Sequence, residues 1–289
     1  MDVKTVIRHG LAAPGVRHGL RWFMSAPGVP DAWRHIAYRK LAKRARFGDD
    51  STFQYTTPEG VRLRLLHRGA AISLYWRNEY EPETTRLFCE HARTADVILD
   101  IGAAHGIYAM LAAAANPRAR IFAFEPGEQT SRECRRNLEL NHPITANVEL
   151  LDLALGDSEA TTTLYVAGAF GGTSSLNPSF RPNAREQQVR VRRGDTLLDE
   201  AGVRRVDLIK LDTESTEPAV LRGLTNVLRR DHPKLLVEVL HGRTERDLEQ
   251  ILGPLGYRYY WVGDRGLTRT DTINGDPTYR YPNYFFTTE

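Results

Sequence analysis

The sequence predicts an α/β fold in which a mostly parallel sheet of seven strands is covered by helices on both faces. From about residue 97, short runs rich in Val, Ile and Leu alternate with longer stretches of helical period, a pattern typical of such sheets. Asn116-Pro117 and Gly253-Pro254 supply stop signals after two of the predicted helices. Because crossovers between parallel strands are right-handed, this order favours a doubly wound topology.

The individual elements follow from the same pattern. Apolar runs predict six strands, at 97–101, 121–124, 148–151, 206–211, 235–239 and 257–261. Intervening stretches of helical period predict four helices, near 107–115, 129–141, 218–229 and 245–252. A seventh strand at 284–287 is expected to run antiparallel at the edge of the sheet. Two extended runs, 161–166 and 188–192, flank a segment rich in Gly, Ser and Pro, which predicts a β-hairpin inserted at about 160–193.

The chain before the sheet is predicted to form two parts, a basic helical extension at 1–50 and a small hairpin and helix lead-in at 51–96, ahead of the main domain at 97–289. Residues 1–48 carry ten Lys or Arg against Asp2 and Asp31, a net charge of about +8, whereas the remainder carries about −5. Such an arm can contact nucleic acid or an anionic membrane surface. More often it packs on its own domain or a second copy, so we expect a lid or a homodimer surface.

Length and composition bound the class of protein. The 289 residues suffice to bury a large core. No run of about eighteen apolar residues lacks a charge, and no secretory leader is evident, so we expect no transmembrane segment and a cytoplasmic location. Cys89 and Cys134 have neither disulfide nor metal-site spacing and are interpreted as structural thiols. We therefore predict no metal site.

The most distinctive turn in the sequence comes where the first predicted strand meets its helix. Asp100, Gly102, Ala103 and Gly106 lie there, at the position where open α/β sheets bind ligands. The glycines allow a tight turn and a close approach of backbone to ligand. A dinucleotide fingerprint requires a glycine at position 104, but Ala104 stands there. The turn therefore favours a cofactor without phosphates.

Two acidic residues end the next strands and complete a predicted cofactor site. Glu125 follows the second strand, where a carboxylate can bind both hydroxyls of a ribose. Asp152 follows the third strand, within reach of an adenine edge, although Asp157 could serve instead. A nucleoside cofactor bound by Asp100, Gly102, Ala103, Gly106, Glu125 and Asp152 is therefore predicted.

A cluster of carboxylates ends the fourth strand. Asp212 and Glu214 follow it directly, and Pro218 begins the next helix. Side chains beside a bound cofactor can align an acceptor atom and, where that atom belongs to a hydroxyl, accept its proton. Asp212, Glu214 and His241, which follows the fifth strand, are the candidate catalytic residues, and Asp212 also borders the cofactor. Glu217 is interpreted as favourable charge near a helix N-terminus.

Residues 80–286 resemble the FkbM-type methyltransferase family in a series of short motifs that occur in order. These are Tyr80-Glu81-Pro82-Glu83, Asp100-Ile101-Gly102-Ala103, Phe124-Glu125-Pro126, Asn137 with Asn141, Ala154-Leu155-Gly156-Asp157, Ser174-Ser175-Leu176, Lys210-Leu211-Asp212-Thr213-Glu214, Val220-Leu221-Arg222-Gly223 and Asn283-Tyr284-Phe285-Phe286. The resemblance implies a class I, Rossmann-like fold, S-adenosylmethionine as cofactor, and methylation of a hydroxyl on a sugar or secondary metabolite.

This chain departs from the family at two places. Ser215-Thr216 stands where a glycine and a small residue are usual, and Ala104 where an asparagine is frequent. The expected acceptor is a small molecule or glycan. Aromatic and basic loop residues are expected to line its entrance: Phe170, Arg181, His241, Tyr260 and Trp261.

Four alternatives remain open on sequence grounds. An N-methyltransferase acting on nucleic acid is disfavoured, because the tetrapeptides at 177–180 and 276–279 do not follow the fourth strand. An NAD-dependent oxidoreductase would use Glu125 equally well. A metal-assisted O-methyltransferase would use Asp212, Glu214 and Glu238. A non-catalytic protein that binds a nucleoside cofactor is the fourth.

Overall fold

The computed structural model describes residues 10–11, 13–26, 28–40, 45, 47–167, 173–179 and 184–289. The chain divides into two compact units, Met1–Tyr80 and Glu81–Glu289. The three-part division expected from the sequence, with boundaries near 50 and 96, stays a prediction. Within the described ranges, every helix is too short or too polar to cross a membrane.

The first unit contains helices and one small hairpin. They are α1 (Pro14–Ser25), α2 (Asp31–Lys40), β1 (Thr52–Thr56), β2 (Arg62–Leu66) and α3 (Ala71–Arg77). The hairpin pairs Thr52 with Leu66, and an aromatic cluster lies beside it. Phe47 stacks on His67 at 4.0 Å between ring centroids, and burial lowers the pKa of His67 to about 4. Residues 1–9 and 41–44 of the predicted basic extension lie outside the described residues.

The second unit carries the large sheet and its helices. In chain order these are α4 (Pro82–Ala92), β3 (Val97–Ile101), α5 (Ile107–Ala115), β4 (Arg120–Phe124), α6 (Glu128–Leu140), β5 (Val148–Leu151), β6 (Ala154–Gly156), β7 (Ala160–Ala167), β8 (Thr173–Ser175), β9 (Arg185–Arg193), α7 (Gly194–Glu200), β10 (Leu208–Leu211), α8 (Glu217–Gly223), α9 (Thr225–Asp231), β11 (Lys234–Glu238), α10 (Glu245–Leu252), a 3₁₀ turn (Gly253–Leu255), β12 (Arg258–Gly263), β13 (Gly266–Thr270) and β14 (Asn283–Thr287).

The main sheet has the strand order β13-β12-β14-β11-β10-β3-β4-β5. Pairing is parallel from β11 through β10, β3 and β4 to β5, and antiparallel on both sides of β14. Strands β3, β4 and β10 consist almost entirely of buried residues, because helices cover both faces of a parallel sheet. Their carboxyl ends meet at one edge, where ligands of such sheets bind.

The predicted seven-stranded sheet with strand 284–287 at its edge was wrong in two respects. The described sheet has eight strands, and β14 lies between β11 and β12. All five residues of β14 are buried, as expected for an interior strand. The edge strand is instead β13, whose residues are exposed or only partly buried. A polar strand at a sheet edge lacks the apolar alternation by which strands are recognised in a sequence.

The predicted insertion is confirmed and is larger than a hairpin. β7 and β9 pair antiparallel over seven residue pairs, Ala160↔Val191 to Val166↔Arg185. Two short strands join them, in the order β6-β9-β7-β8. The helix predicted at 218–229 is divided at Leu224 into α8 and α9. Residues 168–172 and 180–183 of the insertion lie outside the described part of the chain.

Candidate active site

A tight turn after β3 forms the first part of the site, and we call residues 100–106 the cofactor turn. The amides of Gly102 and Ala103 donate to the carbonyl of Phe124 at 3.0 and 2.9 Å. Gly102 has a φ of 81°, and a Cβ at this position would overlap the carbonyl oxygen of Asp212. Only glycine meets both conditions. The turn is therefore in direct contact with the strand end that carries Asp212.

Asp100 and Gly106 hold this turn to the helix that follows. Gly106 is the N-cap of α5, with a φ of 78°. Asp100 is buried and accepts a hydrogen bond from the amide of Ala109 at 2.9 Å, so it satisfies an amide in the first turn of α5. Burial raises the pKa of Asp100 to about 7, an effect that the nearby Lys210 opposes. Direct contact between Asp100 and a cofactor stays a prediction.

Glu125 lies at the end of β4 with its carboxylate against the cofactor turn. One oxygen accepts from the amide of Ala104 at 2.9 Å, and the other from the amide of Gly127 and the hydroxyl of Thr130, each at 2.8 Å. Glu125 is buried, and burial raises its pKa while these donors lower it. A carboxylate offers about four acceptor positions, so three donors leave room for a ribose hydroxyl.

Asp152 lines a pocket of about 280 Å³ at the ends of β4 and β5. Pro126 lies on one side of this pocket, and Gln187 of the inserted sheet on another. The Asp152 carboxylate is bound by the Ser131 hydroxyl and by Arg135, whose Nη2 is 2.9 Å from both of its oxygens. An adenine edge would compete with Arg135 for this carboxylate. The predicted role of Asp152 therefore stays a prediction.

The loop after β10 is held by a buried carboxylate. Oε1 of Glu217 accepts from the amide and hydroxyl of Thr213 at 2.9 and 3.0 Å, and from the amide of Ser215 at 3.2 Å. Glu214 and Ser215 have φ values of 55° and 86°, in the left-handed region that favours glycine. Ser215 carries a side chain at this φ, so its backbone is strained. Glu217 stabilises that strained loop, a role beyond the helix-terminus charge expected from the sequence.

The inserted sheet is fastened to the same loop. The hydroxyl of Ser175 in β8 donates to the carbonyl of Glu214 at 2.6 Å, and the Asn177 side-chain amide donates to the Ser215 hydroxyl at 3.2 Å. On the opposite side, Gln187 donates to the carbonyl of Pro126 at 3.1 Å. The insertion thus contacts the loops that follow both β10 and β4.

Lys210, which is buried, forms an ion pair with Asp212 at the carboxyl edge of the sheet. We call the group formed by Lys210, Asp212, Glu238, Glu81 and Asn283 the acceptor edge. Lys210 is 1% exposed, and its Nζ lies 3.4 Å from Oδ2 of Asp212 and 3.5 Å from Oδ1 of Asn283. Asn283 donates to Glu81 at 3.0 Å. Burial alone would lower the pKa of Lys210, but Asp212, Glu81, Glu238 and Asp100 raise it. Lys210 is therefore a fixed cation.

Glu238 ends β11 beside this ion pair. Leu211 is the register partner of Val237, so the next residues, Asp212 and Glu238, lie at the same height at the carboxyl edge. Within the described part of the chain, Oε2 of Glu238 is shielded from solvent and has no hydrogen-bond partner. Burial raises the pKa of Glu238 well above its ordinary value, and the charges of Asp212 and Glu214 add to that effect.

His241 contacts a different loop. Its Nδ1 lies 2.9 Å from the carbonyl oxygen of Gly275 and 4.0 Å from Glu245. Nδ1 donates to this carbonyl, and the side chain is 53% exposed. None of the contacts found among the described residues joins His241 to Asp212. Its predicted role as a base stays a prediction, as does that of Glu214.

The predicted entrance is described only in part. Phe170 and Arg181 lie outside the described residues. Tyr260 and Trp261 lie in β12, with the Trp261 indole donating to the carbonyl of Tyr281 at 2.9 Å. Among the side chains that the structure describes, no three His, Cys, Asp or Glu residues are grouped as metal ligands. The metal-assisted alternative thus gains no support from this geometry.

A comparison with protein families decides between the remaining classes. The model described as the methyltransferase FkbM domain matches residues 100–259, which include the cofactor turn, Glu125, Asp152 and the loop after β10. This chain belongs to the FkbM methyltransferase family. It therefore carries an S-adenosylmethionine-dependent methyltransferase domain, and the oxidoreductase alternative is excluded.

Relatives of this FkbM domain include two enzymes named as methyltransferases and a larger synthetase. The hexuronic acid methyltransferase AglP of Haloferax volcanii is 26% identical over 175 residues, 60% of this chain and 67% of AglP. The 2-O-methyltransferase NoeI of Sinorhizobium fredii is 29% identical over 141 residues, 44% of this chain and 56% of NoeI. The AMB antimetabolite synthetase AmbE of Pseudomonas aeruginosa is 27% identical over 71% of this chain, which spans only 11% of AmbE.

Solved structures similar to this FkbM domain are also methyltransferases. A crystal structure of methyltransferase FkbM from Methylobacillus flagellatus aligns with a TM-score of 0.45 at 15% identity, over 75% of this chain and 52% of that chain. A methyltransferase from Agrobacterium tumefaciens aligns with a TM-score of 0.45 at 13% identity, over 84% of this chain and 72% of that chain.

The residues of the FkbM domain fit the cofactor that the family uses. The ribose of its nucleoside part would donate a hydrogen bond to Glu125, the carboxylate at the end of β4 that keeps an acceptor position. This carboxylate lies next to a pocket of about 280 Å³. When bound, S-adenosylmethionine supplies an electrophilic methyl group on a sulfonium. Contact between Gly102 and Asp212 brings the cofactor turn to the edge that we propose receives the acceptor.

Several residues of this site carried little signal in the sequence. Lys210, Glu81 and Asn283 lie in motifs shared with the family, yet nothing in their spacing indicated that they meet. Their approach depends on β10 and β14 being one strand apart in the sheet and on α4 starting beside them. Glu238 was considered only as a metal ligand. The rule that parallel strands share an edge would have placed it next to Asp212.

Proposed function

We propose that this protein methylates a hydroxyl group on a sugar or another small polar metabolite, with S-adenosylmethionine as donor. The observation that carries the proposal is the contact between Gly102 and the Asp212 strand end, which joins the cofactor turn to a carboxylate-rich edge. A hydroxyl must lose its proton during methylation, and carboxylates near the reacting atom can accept it. The name of AglP, a hexuronic acid methyltransferase, supports a sugar acceptor, and the name of NoeI, a 2-O-methyltransferase, supports transfer to an oxygen.

In this proposal each part of the site has its own role. Glu125 and the cofactor turn bind the nucleoside and amino acid parts of the cofactor, with Asp152 near the adenine. Asp212 orients the acceptor, since its side chain is partly exposed and held by Lys210. Nucleic acid is not the favoured acceptor, because Asp212-Thr213-Glu214 occupies the position after the fourth parallel strand where a base-stacking proline motif would be needed.

The test has two stages. Calorimetric titration with S-adenosylhomocysteine, with NAD as a control, should show micromolar binding of the former alone, and Glu125→Ala should weaken it at least tenfold. Transfer of labelled methyl groups is then measured on a panel of methyl glycosides of hexoses and hexuronic acids. Asp212→Ala should bind S-adenosylhomocysteine normally but lose turnover. Binding of NAD instead, or full activity of the Asp212 variant, would contradict the proposal.

A further inference from the structure

The acceptor edge contains a carboxylate to which no role has been assigned. Glu238 lies opposite Asp212 across neighbouring parallel strands, because Leu211 and Val237 are register partners. Side chains alternate along strands, so Lys210, Asp212 and Glu238 project on one face of the sheet. Asn283 is the register partner of Glu238 in the neighbouring strand, and its side-chain oxygen accepts a hydrogen bond from Lys210 at 3.5 Å. Glu238 is therefore part of the same buried group as the fixed cation.

The two carboxylates of this edge differ in how they are held. Asp212 has an ion pair with Lys210, whose Nζ lies 3.4 Å from its Oδ2. Oε2 of Glu238 is shielded and has no hydrogen-bond partner among the described residues, although the residue as a whole retains partial exposure. A buried carboxylate oxygen without a donor is costly. Such an oxygen gains free energy when a hydroxyl donates to it.

From this geometry we infer that Glu238 is the general base that receives the proton of the acceptor hydroxyl, while Asp212, held by Lys210, orients that hydroxyl. The inference rests on the proposed function. The acceptor oxygen forms the new O–C bond as the C–S bond breaks. The electron pair of the C–S bond stays on sulfur. The hydroxyl proton passes to the Glu238 carboxylate, so charge balances: the sulfonium becomes a neutral thioether and the carboxylate a neutral acid.

The charges around Glu238 suit this role. Asp212, Glu214 and Glu217 raise its pKa and Lys210 lowers it, in addition to the effect of burial. A raised pKa brings a carboxylate closer to the pH at which a base works best. Lys210 limits the rise, and it also neutralises Asp212, which would otherwise repel a second negative charge next to it.

The decisive variant is Glu238→Gln, which keeps the shape and removes the base. We expect it to bind S-adenosylhomocysteine within threefold of the wild type and to lose methyl transfer at least a hundredfold, with the acidic limb of the pH profile of kcat removed. Glu90→Gln, on the exposed face of α4, serves as the matched control. Retained methyl transfer in Glu238→Gln would overturn the inference. The contradiction would be strongest if His241→Ala lost methyl transfer while Glu238→Gln kept it, because His241 would then be the base.

A second measurement needs no acceptor. Because the pKa of Glu238 is raised on folding, its charge destabilises the folded chain as pH rises through that pKa, and Gln mimics the protonated form. Glu238→Gln should therefore have a higher melting temperature than the wild type at pH 8.5, and the difference should vanish at pH 3.5, below the unfolded pKa of glutamate of about 4.3. No gain at pH 8.5 would overturn the inference. A wild-type chain that methylates none of the glycosides would instead count against the proposed function, and the melting comparison would still test Glu238.

Discussion

The cofactor turn and the acceptor edge lie side by side, but they are stabilised in different ways. Glu125 accepts hydrogen bonds from two amides and a hydroxyl, and Asp100 accepts one from an amide. At the acceptor edge, Asp212 depends on a single ion pair at 3.4 Å, and Oε2 of Glu238 has no described donor. Backbone donors hold the first region before any ligand arrives, whereas the second depends on the balance of its charges.

This difference follows from what each region binds. A cofactor that is common to the whole family can be bound by a backbone of fixed geometry. An acceptor hydroxyl must give up a proton, and groups that take protons must keep acceptor capacity and a tunable pKa. We therefore expect backbone changes to disable the cofactor turn and charge changes to disable the acceptor edge.

The largest effect is expected for Gly102→Ala. A methyl group there meets the carbonyl oxygen of Asp212, which is backbone and cannot rotate away, and the positive φ adds strain. We expect a loss of more than about 4 kcal/mol in the free energy of unfolding, measured with urea, and no binding of S-adenosylhomocysteine. Gly202→Ala is the control, because Gly202 has a φ of 68° with nothing within 4 Å, and it should cost about 1 kcal/mol. Equal stability of the two variants would contradict this account.

Lys210→Met should be the next most severe change. It removes the one described cation from among Asp212, Glu81, Glu238 and Asp100, and breaking a buried ion pair costs about 3–5 kcal/mol. The loss should be smaller at pH 5 than at pH 8, since burial raises the pKa of Asp100 to about 7 and the pKa of Glu238 well above its ordinary value, so these two groups gain protons at the lower pH. Urea unfolding at both pH values measures it, and Lys210→Arg should restore part of the stability. A loss independent of pH would show that Lys210 acts by packing alone.

Asp100→Asn should alter the pH dependence of stability. Because its pKa is raised to about 7 on folding, Asp100 contributes most stability below the unfolded pKa of about 4, and this contribution is lost as pH rises to 7. The groups facing it are Lys210, Asp212 and Glu125, and Asn retains an acceptor for the Ala109 amide. The variant should melt at a higher temperature than the wild type at pH 8 and not at pH 4.5. Parallel melting curves across this range would contradict the burial argument.

The smallest effect is expected for Ser175→Ala. It removes the hydrogen bond from β8 to the carbonyl of Glu214 at 2.6 Å, worth about 1 kcal/mol. Since this bond fastens the inserted sheet to the loop after β10, amide exchange in residues 213–216 should accelerate more than in the cofactor turn. Ser158→Ala, at an exposed position of the same unit, is the control. Uniform exchange in both regions would mean that the insertion does not hold this loop.

The α/β class, the parallel strands and the position of the cofactor turn could all be predicted from the amino-acid pattern. Buried parallel strands are apolar throughout, and the glycines after such a strand permit the positive-φ turn that the structure shows at Gly102 and Gly106. Strand β3, helix α5, strand β5 and helix α10 match the predicted bounds, because local pattern and burial agree there. Asp100, Gly102 and Glu125 were likewise placed correctly at one edge of the sheet.

The contacts between residues distant in the chain could not be predicted in this way, because they depend on strand order and packing. The interior position of β14, the edge strand β13 and the approach of Asn283 and Glu81 to Lys210 depend on strand order, which local periodicity does not encode. The unpartnered oxygen of Glu238 was equally hidden, because a missing hydrogen bond is a property of all the surroundings of an atom. Sequence pattern reports which face of an element is buried, and packing alone determines what lies against it.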